Sequence, residues 1–408
     1  MIDVGVLLER VEAAAPIDGV EAVAAELGRM VDAHAVTLLI ADFSGRAVVR
    51  LTSASLVEGA RSHGVEQAET LPLPGTLYER VLRTQRADVE AIGNGARMIV
   101  PVTDRGDAIG LLELDLPRYP SPEEIVDISS AAHALAYVVI AARRHTDVFE
   151  WGQRSTPFAL AAEIQRRLLP ASYTCEAGQF TLAGWLEPAA SVGGDTFDYT
   201  LDRDHLQVSI TDAVGHQVVA ALVATLLVGA LRNGRRKGLD LAGQAHYANE
   251  SLAENAAPGQ FVTGQLLQVD LHTGTAVIIN AGHTLPLRLR DGRVEEIELA
   301  IDAPFGLLPG RTFHVQAFPL EAGDRIVFLT DGMLERNAAT LDVAAALANS
   351  ADLHPREVVH ELGSAVLRAT DGDLRDDATM VCLDWYGGPP RGRTTEYGAD
   401  QDRASSPV

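Results

Sequence analysis

Residues 206–231 read LQVSITDAVGHQVVAALVATLLVGAL. Leu206, Val208 and Ile210 alternate with Gln207, Ser209 and Thr211. That period of two predicts a strand with one buried face. Asp212 keeps the parity of the apolar residues, so its carboxylate is expected to point to the buried side at the strand's end. A lone charge there is costly to desolvate, and a metal ion would neutralise it. A turn with Gly215 and His216 follows, then an Ala/Val/Leu run apolar on all sides, which reads as a buried helix. Asn233-Gly234 is its expected C-terminal stop.

Around this stretch, residues 175–387 alternate short apolar runs with turn residues. Strands are expected at 180–185, 261–270, 275–280, 287–290, 294–299, 315–320, 325–330 and 380–385. Helices are expected at 241–255, 343–348 and 356–369. Many antiparallel strands with grouped helices imply stacked antiparallel sheets flanked by helices, an α+β fold arranged as an α-β-β-α sandwich. Residues 388–408 are rich in Gly, Pro, Arg, Ser and Asp without periodicity and read as a disordered tail.

Upstream, residues 1–145 read as a separate α/β unit. Helical spacing runs over 2–27 and 123–144, with strand pairs at 35–41/47–52 and 96–102/108–116. The order helix–strand–strand, strand–strand–helix, with IVPVTDRGDAIGLLELD at 99–115, resembles a GAF sensory domain, whose signal the sequence does not reveal. Residues 146–174 form a helical linker. Thr156-Pro157 marks a helix start, Leu160, Ile164 and Leu168 recur on one face, and Pro170 ends it. Phe149 and Trp151 beside it read as core residues in preference to dimer contacts.

The 408-residue length allows two domains. A net charge of −23 argues against a nucleic-acid backbone as partner. No run of about eighteen uninterrupted apolar residues is present and no leader is visible, so neither a membrane span nor secretion is expected. Two cysteines, Cys175 and Cys382, far apart and outside any CxxC pattern, suit a reduced, cytoplasmic setting.

Four aspartates stand at the mouth of an apolar strand beside a tight turn: Asp195, Asp212, Asp331 and Asp376. One such residue in so acidic a chain is ordinarily a solvated turn or cap residue. Four able to gather at one end of a sheet pair, without a Cys or His cluster, suit Mg²⁺ or Mn²⁺ and not zinc.

The ordered motifs AAEIQRRLLP (161–170), VGGDTFDY (192–199), ITDAVGHQVVAAL (210–222), FVTGQLLQVD (261–270), NAGHTLPL (280–287), APFGLLPG (303–310), LTDGMLERN (329–337) and DDATMV (376–381) carry a family resemblance. Together they resemble the bacterial metal-dependent serine/threonine protein phosphatases of the PPM superfamily, in the stage II sporulation protein E and sigma-B regulator branch. The resemblance covers about 157–385. It implies two Mn²⁺ or Mg²⁺ ions, bridged by Asp212 and completed by the Ala213 carbonyl. Asp331 and Asp376 would hold one ion and Asp195 the other. A water shared by two such ions becomes hydroxide near neutral pH and attacks phosphorus in line. The implied catalytic set is Asp212, Asp331 and Asp376.

It further implies a phosphorylated anti-anti-sigma (STAS) protein as substrate in a sigma-factor pathway, and a regulatory role for the helix bearing EIQRRLLP. A homodimer is compatible with the helical linker. Asp198 and Asp377 stand beside ligands without an assigned role. His283 and His216 read as structural in preference to proton donors. The sequence departs from the family at Gln217, where a glycine is usual, and at Ala213 and Thr196. Two rival readings are a catalytically weak sensor or scaffold that binds a partner protein, and a hydrolase of small phosphoesters. The intact aspartates oppose the first.

Overall fold

The computed structural model describes residues 2–43, 45–55, 69–153, 159–189, 193–334, 341–389, 392–393 and 395–406. The chain divides into two units, Met1–Pro157 with Thr394–Val408, and Phe158–Arg393. The expected helix start at Thr156-Pro157 lies outside the described residues.

In the first unit, α1 (Val4–Ala13) and α2 (Gly19–Val31) split the helical spacing of residues 2–27 at the break that holds Pro16. Then come β1 (Ala35–Ala41), β2 (Ala47–Ser55), β3 (Glu69–Pro72), α3 (Leu77–Thr84), β4 (Asp88–Ile92), β5 (Gly95–Asp104), β6 (Asp107–Leu116), α4 (Pro122–Ala142) and α5 (Val148–Gly152). The strands form one antiparallel sheet in the order β3-β2-β1-β6-β5-β4. Its main core joins Val23, Leu27, Ile128 and Leu135 of the helices to Val36, Leu38, Met98 and Leu112, with Phe149 buried among them. Ser121 and Glu124 form a reciprocal capping box, with Pro122 in the first turn, which fixes where α4 begins.

Composition predicts disorder at the C-terminus, but residues 395–406 fold into this unit. Gly106 donates its backbone N–H to Gly398 at 2.9 Å, Gln401 donates its amide to the Gln85 carbonyl, and Ala399, Asp400 and Ser405 are buried. Backbone pairing, which composition does not register, holds the segment.

The second unit opens with α6 (Leu160–Leu168), β7 (Thr174–Glu176), β8 (Phe180–Glu187), β9 (Asp195–Leu201), β10 (His205–Ala213), α7 (Gln217–Arg236) and α8 (Leu241–Asn255). It continues with β11 (Val262–Asp270), β12 (Ala276–Ala281), β13 (Leu287–Arg290), β14 (Arg293–Glu296), β15 (Gln316–Phe318) and β16 (Asp324–Leu329). It closes with α9 (Val343–Asn349), α10 (Pro355–Ala369) and β17 (Ala378–Trp385). One sheet runs β15-β12-β11-β10-β9 and the other β14-β13-β16-β17-β8-β7.

Leu206, Val208, Ile210 and Ile278 of the first sheet meet Phe180, Leu182, Ile326, Phe328 and Val381 of the second in a shared core. α7 and α8 cover the outer face of one sheet through Val223, Leu227, Ala245 and Leu252 against Leu266 and Ile279. α9 and α10 cover the other through Leu347, Val359 and Leu362 against Trp185, Val327 and Met380. These four layers make the α-β-β-α sandwich, and each fully buried large apolar side chain contributes about 1.5–3 kcal/mol.

Three expectations at the opening stretch need correction. β10 is buried on both faces, because Ser209 and Thr211 lie beneath α7 and the Thr211 hydroxyl pairs with that of Thr196 at 2.6 Å. α7 is not buried all round, since Val219 and Leu222 are about half exposed. Nor does it stop at Asn233-Gly234: Gly234 is interior and packs on Gln244 of α8, and the helix runs to Arg236. α4 and α7 are each long and apolar enough to cross a membrane by length and composition alone, and half of each such stretch is buried in the fold.

The usual glycine that Gln217 replaces has a structural meaning. Gln217 begins α7 at φ 55°, in the left-handed region, where a side chain costs about 1–2 kcal/mol. Gln217→Gly is therefore expected to stabilise the chain by about 0.5–1 kcal/mol after the glycine's own entropic cost. Urea unfolding measures this, and a loss of stability would show that Gln217 makes compensating contacts.

Candidate active site

β9 and β10 pair antiparallel with Asp195 directly opposite Asp212. Residues opposite one another share a face, and here that face is the one carrying Leu206, Val208 and Ile210 into the inter-sheet core. Both carboxylates therefore sit at the end of the sandwich between the two sheets. From the other sheet, Asp331 begins a short 3₁₀ turn just after β16, and Asp376 and Asp377 precede β17, which pairs with β16. Two close backbone approaches hold these ends together. A Cβ on Gly194 would stand 2.3 Å from the Ala213 carbonyl oxygen, and one on Gly332 would stand 2.0 Å from that of Asp377. Only glycine fits either position.

Burial and neighbouring charge both act on these carboxylates. Asp212 is pushed up to about 7 by burial, then by the charges of Asp331, Asp376 and Asp377. Asp195 is buried and also raised well above the ordinary carboxylate range, by desolvation and by the charges of Asp212 and Asp377. The Thr330 hydroxyl donates to its Oδ2 at 2.7 Å. Asp331 is exposed and Asp376 half-buried, with Asp376 Oδ1 accepting from the Asp377 N–H at 2.8 Å. Among the described residues, no three His, Cys, Asp or Glu side chains stand close enough to grip a metal ion together as placed. The donor chemistry nevertheless fits a hard divalent cation: all oxygen, acidic, and under mutual repulsion that a cation relieves.

Asp198 and Asp377 do not point into this set as further ligands. Asp198 has the opposite parity to Asp195 along β9, and it pairs with Arg232 and Arg235 of α7. Asp377 is saturated. Its Oδ1 accepts from the Ala189 N–H at 2.8 Å, and its Oδ2 from the Gly194 N–H at 3.0 Å and the Gln165 side chain at 2.6 Å. Its carboxyl is raised by desolvation against these bonds. The same Gln165 amide donates to the Asp195 carbonyl at 2.7 Å. Reading the sequence singled out the helix bearing Gln165 but not this residue. Its burial is set by partners distant in sequence, which no local pattern shows.

His283 is buried. Its Nδ1 pairs with the Thr263 hydroxyl at 2.9 Å, its N–H donates to Asn280, and burial pushes it down to about 4. It is neutral at pH 7. His216 precedes α7, is exposed, and makes no capping bond.

The Asp212 shift predicts a pH signature in the metal-free chain. A carboxyl raised from 3.8 to about 7 contributes stability below pH 4 that is lost as pH rises through about 7. Asp212→Asn lacks this loss, so the variant is expected to gain stability relative to the wild type between about pH 4 and pH 7 in EDTA, with the difference level above that. His283 titrates with the opposite sign but is present in both chains and cancels in the difference. A flat difference across that window would refute the shift.

Residues 202–386 match the family described as Stage II sporulation protein E (SpoIIE). The chain is 23% identical over 243 residues to the phosphoserine phosphatase RsbU of Bacillus subtilis, covering 55% of this chain and 68% of RsbU. It is 23% identical over 255 residues to Protein IcfG of Synechocystis, covering 54% of this chain but only 40% of IcfG. Among solved structures, one of the RsbU and RsbW domains of a Mycobacterium tuberculosis protein aligns with a TM-score of 0.47 and 27% identity, covering 52% of this chain and 62% of that one.

Proposed function

We propose that this chain, whose residues 202–386 match the Stage II sporulation protein E family, is a metal-dependent protein phosphatase acting on phosphoserine and phosphothreonine. One observation carries the proposal. Asp195 and Asp212 stand directly opposite one another at the end of one sheet, and Asp331 and Asp376 flank the paired strands β16 and β17 of the other, close enough for their charges to act on Asp212.

Asp195, Asp212, the Ala213 carbonyl, Asp331 and Asp376 would hold two Mn²⁺ or Mg²⁺ ions, which supply an activated water and balance charge on the phosphoryl oxygens. The chain's own residues do the rest. Thr330 holds the Asp195 carboxylate by its hydroxyl, and Gln165 holds the backbone carbonyl of the same residue. Asp377 fixes the backbone at Gly194 through its Oδ2. Asp331 is exposed, and an exposed carboxylate in the set suits a phosphoryl group displayed on a protein surface. Residues 1–145 act in this reading as a GAF-like sensor and α6 as the regulatory helix, in a cytoplasmic chain. The substrate is a phosphorylated anti-anti-sigma protein, in keeping with the likeness to RsbU.

The test compares phosphate release from a phosphorylated STAS protein, a phosphoserine peptide and p-nitrophenyl phosphate, with Mn²⁺, Mg²⁺ or EDTA. Release that requires Mn²⁺ or Mg²⁺ and favours the STAS protein supports the proposal. The absence of metal-dependent release sinks the phosphatase, and a preference for the small ester sinks the protein substrate.

A further inference from the structure

α6 has nine residues and no side-chain N-cap. A helix that short is marginal by itself, so its place is set by what grips it. Two of its grips lie one helical turn apart. At the first, the buried Gln165 amide reaches the Asp195 carbonyl and the Asp377 carboxylate, at 2.7 and 2.6 Å. At the second, Arg232 of α7 donates through Nη2 to the Leu168 carbonyl at 2.5 Å. That carbonyl is one of the last four of α6, which have no partner within the helix.

Arg232 is itself fixed. Its Nε and Nη2 donate to Asp198 Oδ2 and Oδ1 at 3.1 and 3.0 Å, and Arg235 donates to Asp198 Oδ2 at 2.6 Å. Asp198 is buried, and two guanidinium groups saturate it. β9 thus presents Asp195 on its inner face and, three residues on, Asp198 on its outer face. α6 is tied to both.

We infer that Arg232, held by Asp198, is a positioning residue for the active site: it locks the C-terminus of α6 so that Gln165 keeps its hold on Asp195 and Asp377. The inference rests on the phosphatase reading for its catalytic consequence, but not for its structural one. A bidentate, charge-assisted fork suits the task, because a lysine cannot bond the carbonyl and both carboxylate oxygens with one rigid group.

The experiment uses the full chain with Arg232→Ala, Arg232→Lys, Asp198→Asn and Gln165→Ala, and the double variant Arg232→Ala/Gln165→Ala. Hydrogen exchange of the α6 amides is read without metal. Mn²⁺ binding is read by calorimetry, and activity is read against Mn²⁺ concentration. Arg232→Ala and Asp198→Asn are expected to speed α6 exchange and raise the Mn²⁺ concentration for half-maximal activity, each about tenfold. Exchange in α4, in the other unit, stays unchanged. Arg232→Lys falls between. If Arg232 acts through Gln165, the double variant is no worse than Gln165→Ala alone.

Unaltered α6 exchange in Asp198→Asn and Arg232→Lys overturns the inference, as do effects that multiply in the double variant. Should Arg232→Ala fail to fold, those two milder variants decide. A wild type without metal-dependent activity would sink the functional reading instead, leaving the exchange result to judge the clamp.

Discussion

Asp212→Ala is expected to remove Mn²⁺-dependent phosphatase activity by more than about a thousandfold while leaving the fold intact. The two halves of that expectation have one cause. Asp212 is half-buried beside the carboxylates of Asp195, Asp331, Asp376 and Asp377, and desolvation with like-charge repulsion pushes it up to about 7. Such a group does not stabilise the metal-free chain at neutral pH; it costs stability there. Removing it should leave the melting temperature in EDTA at pH 8 unchanged or higher, while Mn²⁺ no longer raises it. Asp331→Ala should lose activity similarly but shift metal-free stability less, because Asp331 is exposed. The decisive comparison is turnover of a phosphoserine peptide beside calorimetry with and without Mn²⁺. Wild-type turnover in either variant would remove these carboxylates from the chemistry. A collapsed fold in Asp212→Ala would make Asp212 a structural residue.

Strand parity made Asp212 legible: an acidic residue continuing an apolar alternation is out of place unless something requires it. Asp331 and Asp376 could be read because each adjoins an apolar strand. β9 was not foreseen as a strand, and the reason is the site itself. Asp195, Thr196 and Asp198 are all buried, so the sequence shows polar residues where a sheet interior calls for apolar ones. The small edge strands β3 and β4 escaped for a different reason. Their side chains are largely exposed, and without a buried face there is no alternation to see. α3 is short and rich in charge, and its Thr76 cap lies next to Gly75 in a stretch that reads as a loop. The segment 395–406 was read by composition, whereas its backbone N–H and C=O groups decide its place. Least legible was the support around the candidate carboxylates. Gln165 meets Asp377 across 212 positions of sequence, and Asp377 meets the Ala189 N–H across 188. No local pattern encodes such pairs, since neither partner's neighbours have to change to make room for the other.

Those distant pairs lead to a second large effect. Asp377→Ala is expected to cost about 3–5 kcal/mol of stability. The carboxylate is buried and accepts from the Ala189 N–H at 2.8 Å, the Gly194 N–H at 3.0 Å, the Gln165 amide at 2.6 Å and the Asp195 N–H at 3.4 Å. Truncation would strand these donors in the interior. Against this stands the cost of burying the charge, which raises the Asp377 carboxyl above its ordinary range. Asp377→Asn separates the two effects. It relieves the buried charge and keeps one acceptor, but turns an NH₂ toward N–H donors at the other position. It should therefore cost less, about 1–2 kcal/mol, and stay folded at room temperature. Its Mn²⁺ affinity should still fall about tenfold, because Gly194 and Asp195 lose the group that orients them. Urea unfolding of both variants, with a Mn²⁺ titration of Asp377→Asn, measures this. Wild-type stability in Asp377→Ala would mean that the four donors find other partners. Lost turnover in Asp377→Asn with unchanged Mn²⁺ binding would move Asp377 from supporting the ligands to acting on the substrate.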